Sequence, residues 1–176
     1  PIAMRVNPET MQLVAGQLVP AGGVKDQHAE AFAEHFTKNY EALATEIVCV
    51  LRYKRHFFMA AGITSQSVAQ EFLQHATEEQ AHADEIAGRI VQLGGAPDFS
   101  PEGLATRSHA EYVEGKDLLD MIREDLVAER IAIDSYREMI NWIGAKDSTT
   151  RRMLEGILAM EEEHADDLAG LLEQLS

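Results

Sequence analysis

The pattern Glu-x-x-His occurs at Glu79–His82 and again at Glu161–His164. Residues three apart share a helix face, so each pair can aim a carboxylate and an imidazole at one point. Two more glutamates stand alone inside apolar stripes: Glu46 between Leu43 and Val50, and Glu129 between Leu126 and Ile133. Each has a tyrosine seven residues on, Tyr53 and Tyr136. Four carboxylates facing an apolar interior repel one another and lose several kcal/mol each in hydration unless something balances them. Two divalent cations do so, and carboxylate with imidazole suits iron or manganese, zinc less specifically. A solvated surface would account for one such motif; two in register with two lone glutamates are better explained by a metal pair. Glu46, Glu79, His82, Glu129, Glu161 and His164 are therefore the expected ligands. Glu79 and Glu161 are expected to terminate or chelate, and Glu46 and Glu129 to bridge or reorient.

The elements that must hold these groups are helices. No proline falls between Gly23 and Gly94 or after Pro101, which leaves two long helix-permissive stretches. Gly62-Ile63-Thr64-Ser65 divides the first and Gly144-Ala145-Lys146-Asp147-Ser148 the second. Four helices are predicted, at about 26–61, 65–93, 112–143 and 147–175, with Thr64 or Ser65 and Asp147 or Ser148 as N-caps. Their inward stripes run through Phe36, Leu43, Val50, Tyr53 and Phe57; Val68, Phe72, Ile86, Ile90 and Leu93; Leu118, Ile122, Leu126, Ile133, Tyr136 and Ile140; and Leu154, Ile157, Leu168, Leu171 and Leu175. Short turns within each half imply two antiparallel pairs. The connection 94–111 is different: its 18 residues reach about 60 Å when extended, and a thirty-residue helix is about 45 Å long. The third helix can therefore start at the opposite end. The expected fold is all-α, a ferritin-like four-helix bundle with one long crossover over residues 26–176, preceded by an N-terminal arm over 1–25.

The halves repeat one another. Residues 79–93 align with 161–175 at an offset of 82, with eight of fifteen positions identical. Residues 43–53 align with 126–136 at an offset of 83 and share Leu, Glu and Tyr. Both halves read as versions of one helical hairpin.

Composition narrows the class. Thirty acidic residues against fifteen Lys and Arg give a formal charge of −15, which suits cations and opposes nucleic acid and anionic membranes. The apolar runs are too short to span a bilayer, and no secretory signal is visible. The single cysteine, Cys49, excludes an internal disulfide framework and a cysteine-rich metal site, so a cytoplasmic setting is expected.

The segments ATEIVCVLRY, EEQAHAD, DLVAER and MEEEHADDL resemble the four ligand segments of bacterioferritins. All six family ligand positions are matched, and Tyr53 matches the tyrosine beside the site. The resemblance implies a ferroxidase: Fe(II) binds at a di-iron centre, O2 or H2O2 oxidises it, and mineral forms inside a shell. Three departures stand out. Gln80 replaces the haem-ligating Met, so no haem is expected. No fifth helix is expected after the fourth, and a long segment precedes the first helix. The last two features resemble Dps-type cages, so a dodecamer is expected over a 24-subunit cage.

Other residues read more plainly. Cys49 is expected to be a small buried residue, and Trp142 a packing residue. His75 reads as an ordinary partly buried histidine in preference to a transient iron contact. Arg52, Lys54, Arg55 and His56 read as a solvated face or subunit contact. Three rival functions remain: a non-storing di-iron or di-manganese peroxidase or catalase, a Dps-type DNA-protecting protein, and a metal-free bundle. The first shares every ligand; the acidic charge disfavours the second and the buried carboxylates the third.

Overall fold

A computed structural model describes residues 11–14, 17–20, 27–60 and 65–175, with side chains from residue 41 onward. Strands β1 (Met11–Val14) and β2 (Gln17–Pro20) pair as an antiparallel ribbon with Met11 opposite Pro20 and Val14 opposite Gln17. They lie within the stretch expected as an arm. The bundle consists of α1 (Gln27–Met59), α2 (Gln66–Gln92), α4 (Leu118–Ile143) and α5 (Ser148–Leu175), with a single-turn helix α3 (Leu104–Arg107) in the crossover. α1 packs chiefly on α2, and α4 on α5. Most of the expected stripe is buried, with Phe57, Leu93, Leu118, Ile140, Leu171 and Leu175 half-buried at its ends. Phe36 and Thr64 lie outside the residues whose side chains are described, as does most of the first interhelical break.

The third long helix starts at Leu118, not near residue 112. Asp117 caps it by accepting from the Asp120 N–H at 2.9 Å, and Asp120 accepts in turn from the Lys116 N–H at 2.9 Å. Just before, Gly115 takes a left-handed φ of 67°, where an added Cβ would collide with Met121. Residues 111–113 are held outside the helix because their carbonyls serve α1. Arg52 donates to the Glu111 carbonyl at 3.0 Å, and a His56 ring nitrogen lies 3.1 Å from that of Val113. Higher up, the His109 N–H donates to Thr45 at 3.0 Å. The crossover thus runs along α1 in its own direction from Thr45 to His56.

The same contacts correct the reading of Arg52 and His56 as solvated. Both are fully buried and clasp the buried Asp125 of α4, each at 2.7 Å. Only Lys54 of that run is exposed, and the half-buried Arg55 pairs with Glu114 at 2.9 Å. At the start of α5, Asp147 accepts from the Thr149 and Thr150 N–H groups at 3.1 Å and from the Arg89 guanidinium at 2.8 Å, tying the cap to α2.

The core is in two pieces. One contains Leu43, Ile86, Ile90, Met139, Leu154 and Ile157; the other contains Tyr53, Phe72, Ile122, Leu126 and Leu168. On every helix the candidate ligands fall between the residues of the two clusters.

Candidate metal centre

Each long helix delivers its share to this middle layer. Glu46 comes from α1, Glu79 and His82 from α2, Glu129 from α4, and Glu161 and His164 from α5. His82 is 6% exposed and the other five 1%. The ligand atoms fall into two groups, each within 4.8 Å internally: Glu46, Glu79, His82 and Glu161, and Glu79, Glu129, Glu161 and His164. All six expected residues are brought together. Glu79 and Glu161 belong to both groups and Glu46 and Glu129 to one each, a placement opposite to the one expected from the sequence. The reason is positional. The i, i+3 glutamates share a helix with a histidine and reach both groups, while each lone glutamate reaches one.

His82 Nδ1 lies 3.0 Å from Glu161, 3.4 Å from Glu46 and 3.6 Å from Glu79. His164 Nδ1 lies 3.5 Å from Glu79, 3.8 Å from Glu161 and 4.0 Å from Glu129. The tyrosines cross the bundle reciprocally: Tyr53 of α1 donates to Glu129 of α4, and Tyr136 of α4 donates to Glu46 of α1. Burial, then the facing carboxylates, pushes both phenols well up, so they remain donors. Tyr136 is thus an equal partner of the expected Tyr53, and its place in the repeat carried that signal.

Seven buried atoms of these six residues have no hydrogen-bond partner among the described residues: Glu46 Oε2, Glu79 Oε1, His82 Nδ1, Glu129 Oε2, both Glu161 oxygens and His164 Nδ1. Buried polar atoms are ordinarily satisfied. Seven orphans turned to one centre, from a hard-oxygen and imidazole donor set, fit a pair of divalent cations. Protons take the place of cations in the metal-free chain. Burial first, then Glu79, pushes Glu46 well above the usual carboxylate range and Glu129 up to about 7. Burial and the other three glutamates push Glu161 up. Burial opposes charge on Glu79, but hydrogen bonds from Glu46, His164 and His82 hold it far below that range. Burial also opposes charge on the histidines, yet the surrounding carboxylates raise His82 to about 10 and His164 to about 9.

Around this layer lie groups of differing legibility. Glu78, unnoticed in the sequence, accepts or shares a proton with His164 Nε2 at 2.9 Å and so orients that imidazole. Its counterpart at the repeat offset is Met160, a mismatch that could have exposed it. His75 is wholly buried, not partly, and stacks on His164 with ring centroids 4.1 Å apart. Burial and His164 push it down to about 3, so it is a neutral imidazole. Cys49 is buried as expected, and burial pushes its thiol up despite Arg52, so it stays protonated. Gln80, at the haem-Met position, is exposed and donates to Asp84 at 3.0 Å.

Four antiparallel-paired helices with Glu from two of them and Glu-x-x-His from the others define a helical metal-carboxylate protein. The chain belongs to the ferritin-like family, whose Ferritin-like domain matches residues 40–176. It is 30% identical over 134 residues to a nutrient stress-induced DNA-binding protein of a Synechococcus species, covering 74% of this chain and 76% of that one. It is 29% identical over 134 residues to a bacterioferritin of Mycobacterium avium, covering 76% and 80%. Among solved structures, the bacterioferritin-related protein of Bacteroides fragilis, described as a dodecameric thioferritin, matches with a TM-score of 0.79 at 31% identity. That match covers 82% of this chain and 87% of that one. No described helix is long and apolar enough to cross a membrane.

Proposed function

We propose that the protein is a ferroxidase that binds Fe(II) at the six-residue centre, oxidises it with O2 or H2O2, and holds the product as mineral inside a homo-oligomeric cage. The observation that carries the reading is the set of seven orphaned ligand atoms in two groups sharing Glu79 and Glu161. Fe(II) is the substrate: two ions supply the two electrons that, with two protons, reduce one H2O2 to two waters.

The chain's own residues prepare that chemistry. Glu46 and His82 serve one position, Glu129 and His164 the other, and Glu79 and Glu161 face both. Tyr53 and Tyr136 orient the terminal carboxylates Glu129 and Glu46, and Glu78 orients His164. Protonated carboxyl and imidazolium groups give up protons as cations arrive. The apolar clusters on either side limit water, which strengthens each electrostatic contact.

Haem is outside this reading, because an exposed Gln80 amide already bonded to Asp84 is a poor axial ligand. Haem reconstitution should give no stoichiometric Soret band, and one haem per two subunits would overturn that. DNA protection has support in the name of the Synechococcus relative, but a charge of −15 per chain opposes it. A mobility-shift assay near physiological salt, without added divalent metal, should show no tight retention of duplex DNA. The deciding experiment for the main reading is stopped-flow oxidation of Fe(II). Glu46→Ala and His164→Ala should each lose the fast phase, about a hundredfold or more, while keeping helical content. Wild-type rates in both would defeat the assignment, and peroxide turnover without mineral would favour the non-storing enzyme.

A further inference from the structure

We propose that Glu71, His75 and Asp167 form a third divalent-cation site, one step outward from the paired centre. His75 Nε2 lies 3.4 Å from a Glu71 carboxylate oxygen and 3.9 Å from one of Asp167. One ligand atom from each of the three lies within 4.8 Å of the others. Two nitrogen or oxygen ligands of one zinc ion stand at most about 4.2 Å apart, so a small side-chain rotation closes the set. Two carboxylates balance the charge of one divalent cation, and carboxylate oxygens with an imidazole nitrogen suit Fe(II), Mn(II) or Zn(II).

The independent pointer is the imidazole itself. His75 is 0% exposed, and neither ring nitrogen has a hydrogen-bond partner. A neutral imidazole carries one donor and one acceptor, and leaving both unmet in the interior is costly. Packing does not demand a histidine there. At the repeat offset of 82, Glu71, His75 and Glu78 are answered by Met153, Ile157 and Met160. Ile157 fills the equivalent core position with no polar atom, at 2% exposure. The internal repeat is therefore broken at three successive turns, each time in favour of a metal-binding side chain on α2.

The location links this site to the pair and to the surface. Asp167 is 45% exposed and Glu71 29%, so a cation can reach His75 from solvent. On the inner side, His75, Glu78 and His164 also have ligand atoms within 4.8 Å of one another. Glu78 can thus face either the ion at His75 or the His164 ring.

The test uses Zn(II), which is redox-silent, on the full metal-free chain, with equilibrium dialysis for stoichiometry and anomalous scattering at the zinc edge for position. Wild type should bind three ions per chain, one of them between His75 Nε2, Glu71 and Asp167. His75→Ala should lose that ion and retain two. Asp167→Asn, a change at a half-exposed position that leaves packing intact, should weaken that ion at least tenfold and spare the others. Glu79→Ala should empty the paired centre and keep the ion at His75, which separates failure of the pair from failure of this site. A wild-type chain with no density at His75, or the same three positions filled in His75→Ala and Asp167→Asn, would overturn the proposal.

Discussion

At the scale of single residues, the divided roles of the glutamates give the sharpest expectation. Glu79 and Glu161 belong to both of the ligand groups, whereas Glu46 and Glu129 belong to one each. Glu79→Ala should therefore abolish binding of both ions at the centre, while Glu46→Ala should leave the position at Glu129 and His164 occupied, as counted by Zn(II) dialysis. Equal losses in the two variants would contradict the shared role. That these six side chains converge in one buried layer was legible in the sequence, because each interrupts an apolar stripe at a fixed place in a repeat. Which of them is shared was not legible, since it depends on how the four helices are set against one another. Protonation gives a second expectation. His82 and His164 keep their protons up to about 10 and about 9, and Glu129 up to about 7, so arriving cations must displace protons at pH 7. Calorimetry of Zn(II) binding in two buffers of different ionisation heat should show proton release, with affinity rising from pH 6 to 9. The sign for folding is the opposite. The two histidines are raised above their ordinary 6.5, so their stabilising contribution is complete below pH 6.5 and lost as the pH climbs through 9 to 10. Metal-free protein should accordingly show a falling Tm over that range, and metal-loaded protein a flatter one.

At the scale of elements, the four helix spans were readable to within a residue or two at every end but one. Proline and glycine punctuation and the apolar period were sufficient for that. The exception, the start of α4, depended on contacts distant in sequence: the carbonyls of Glu111 and Val113 are claimed by Arg52 and His56 of α1. A charged run such as Arg52 to His56 looks solvated until the partner Asp125, more than sixty residues away, is placed beside it. This clasp yields a stability prediction. Asp125→Ala leaves Arg52 and His56 buried without their carboxylate and should cost about 3–5 kcal/mol in urea unfolding. Asp125→Asn keeps the shape and part of the hydrogen bonding, and should cost less. A loss within about 0.5 kcal/mol for the alanine variant would show that the clasp contributes little. At the other hairpin, Asp147→Ala removes the α5 cap and the Arg89 tie, for about 1 kcal/mol. Burial opposes ionisation of Asp147, but hydrogen bonds from Thr150 and Arg89 outweigh it and hold the carboxyl at about 2. The cap therefore contributes fully above pH 4 and is lost only as the pH falls toward 2.

At the scale of the whole molecule, storage and geometry constrain each other. One bundle offers a centre for oxidation but no enclosed volume, so mineral storage requires a closed shell of copies. Within the isolated chain, Phe58 is 78% exposed, Met59 53% and Leu51 49%, all on α1, with Val127 at 49% on α4. Apolar side chains grouped on one helix are the kind of surface that subunit contacts cover. The expected shell is of twelve copies over twenty-four. Twelve chains of 19.5 kDa make about 234 kDa, a mass easily separated from a dimer or a 24-subunit cage. Size-exclusion light scattering of the full chain should read close to that value at every concentration. Phe58→Glu places a charge on the α1 surface without touching the buried layer, so it should shift the mass toward small species while circular dichroism and Zn(II) binding at the paired centre persist. A dimer mass for the wild type at all concentrations would remove the shell. It would leave a protein that oxidises or turns over peroxide at the same six residues but stores nothing.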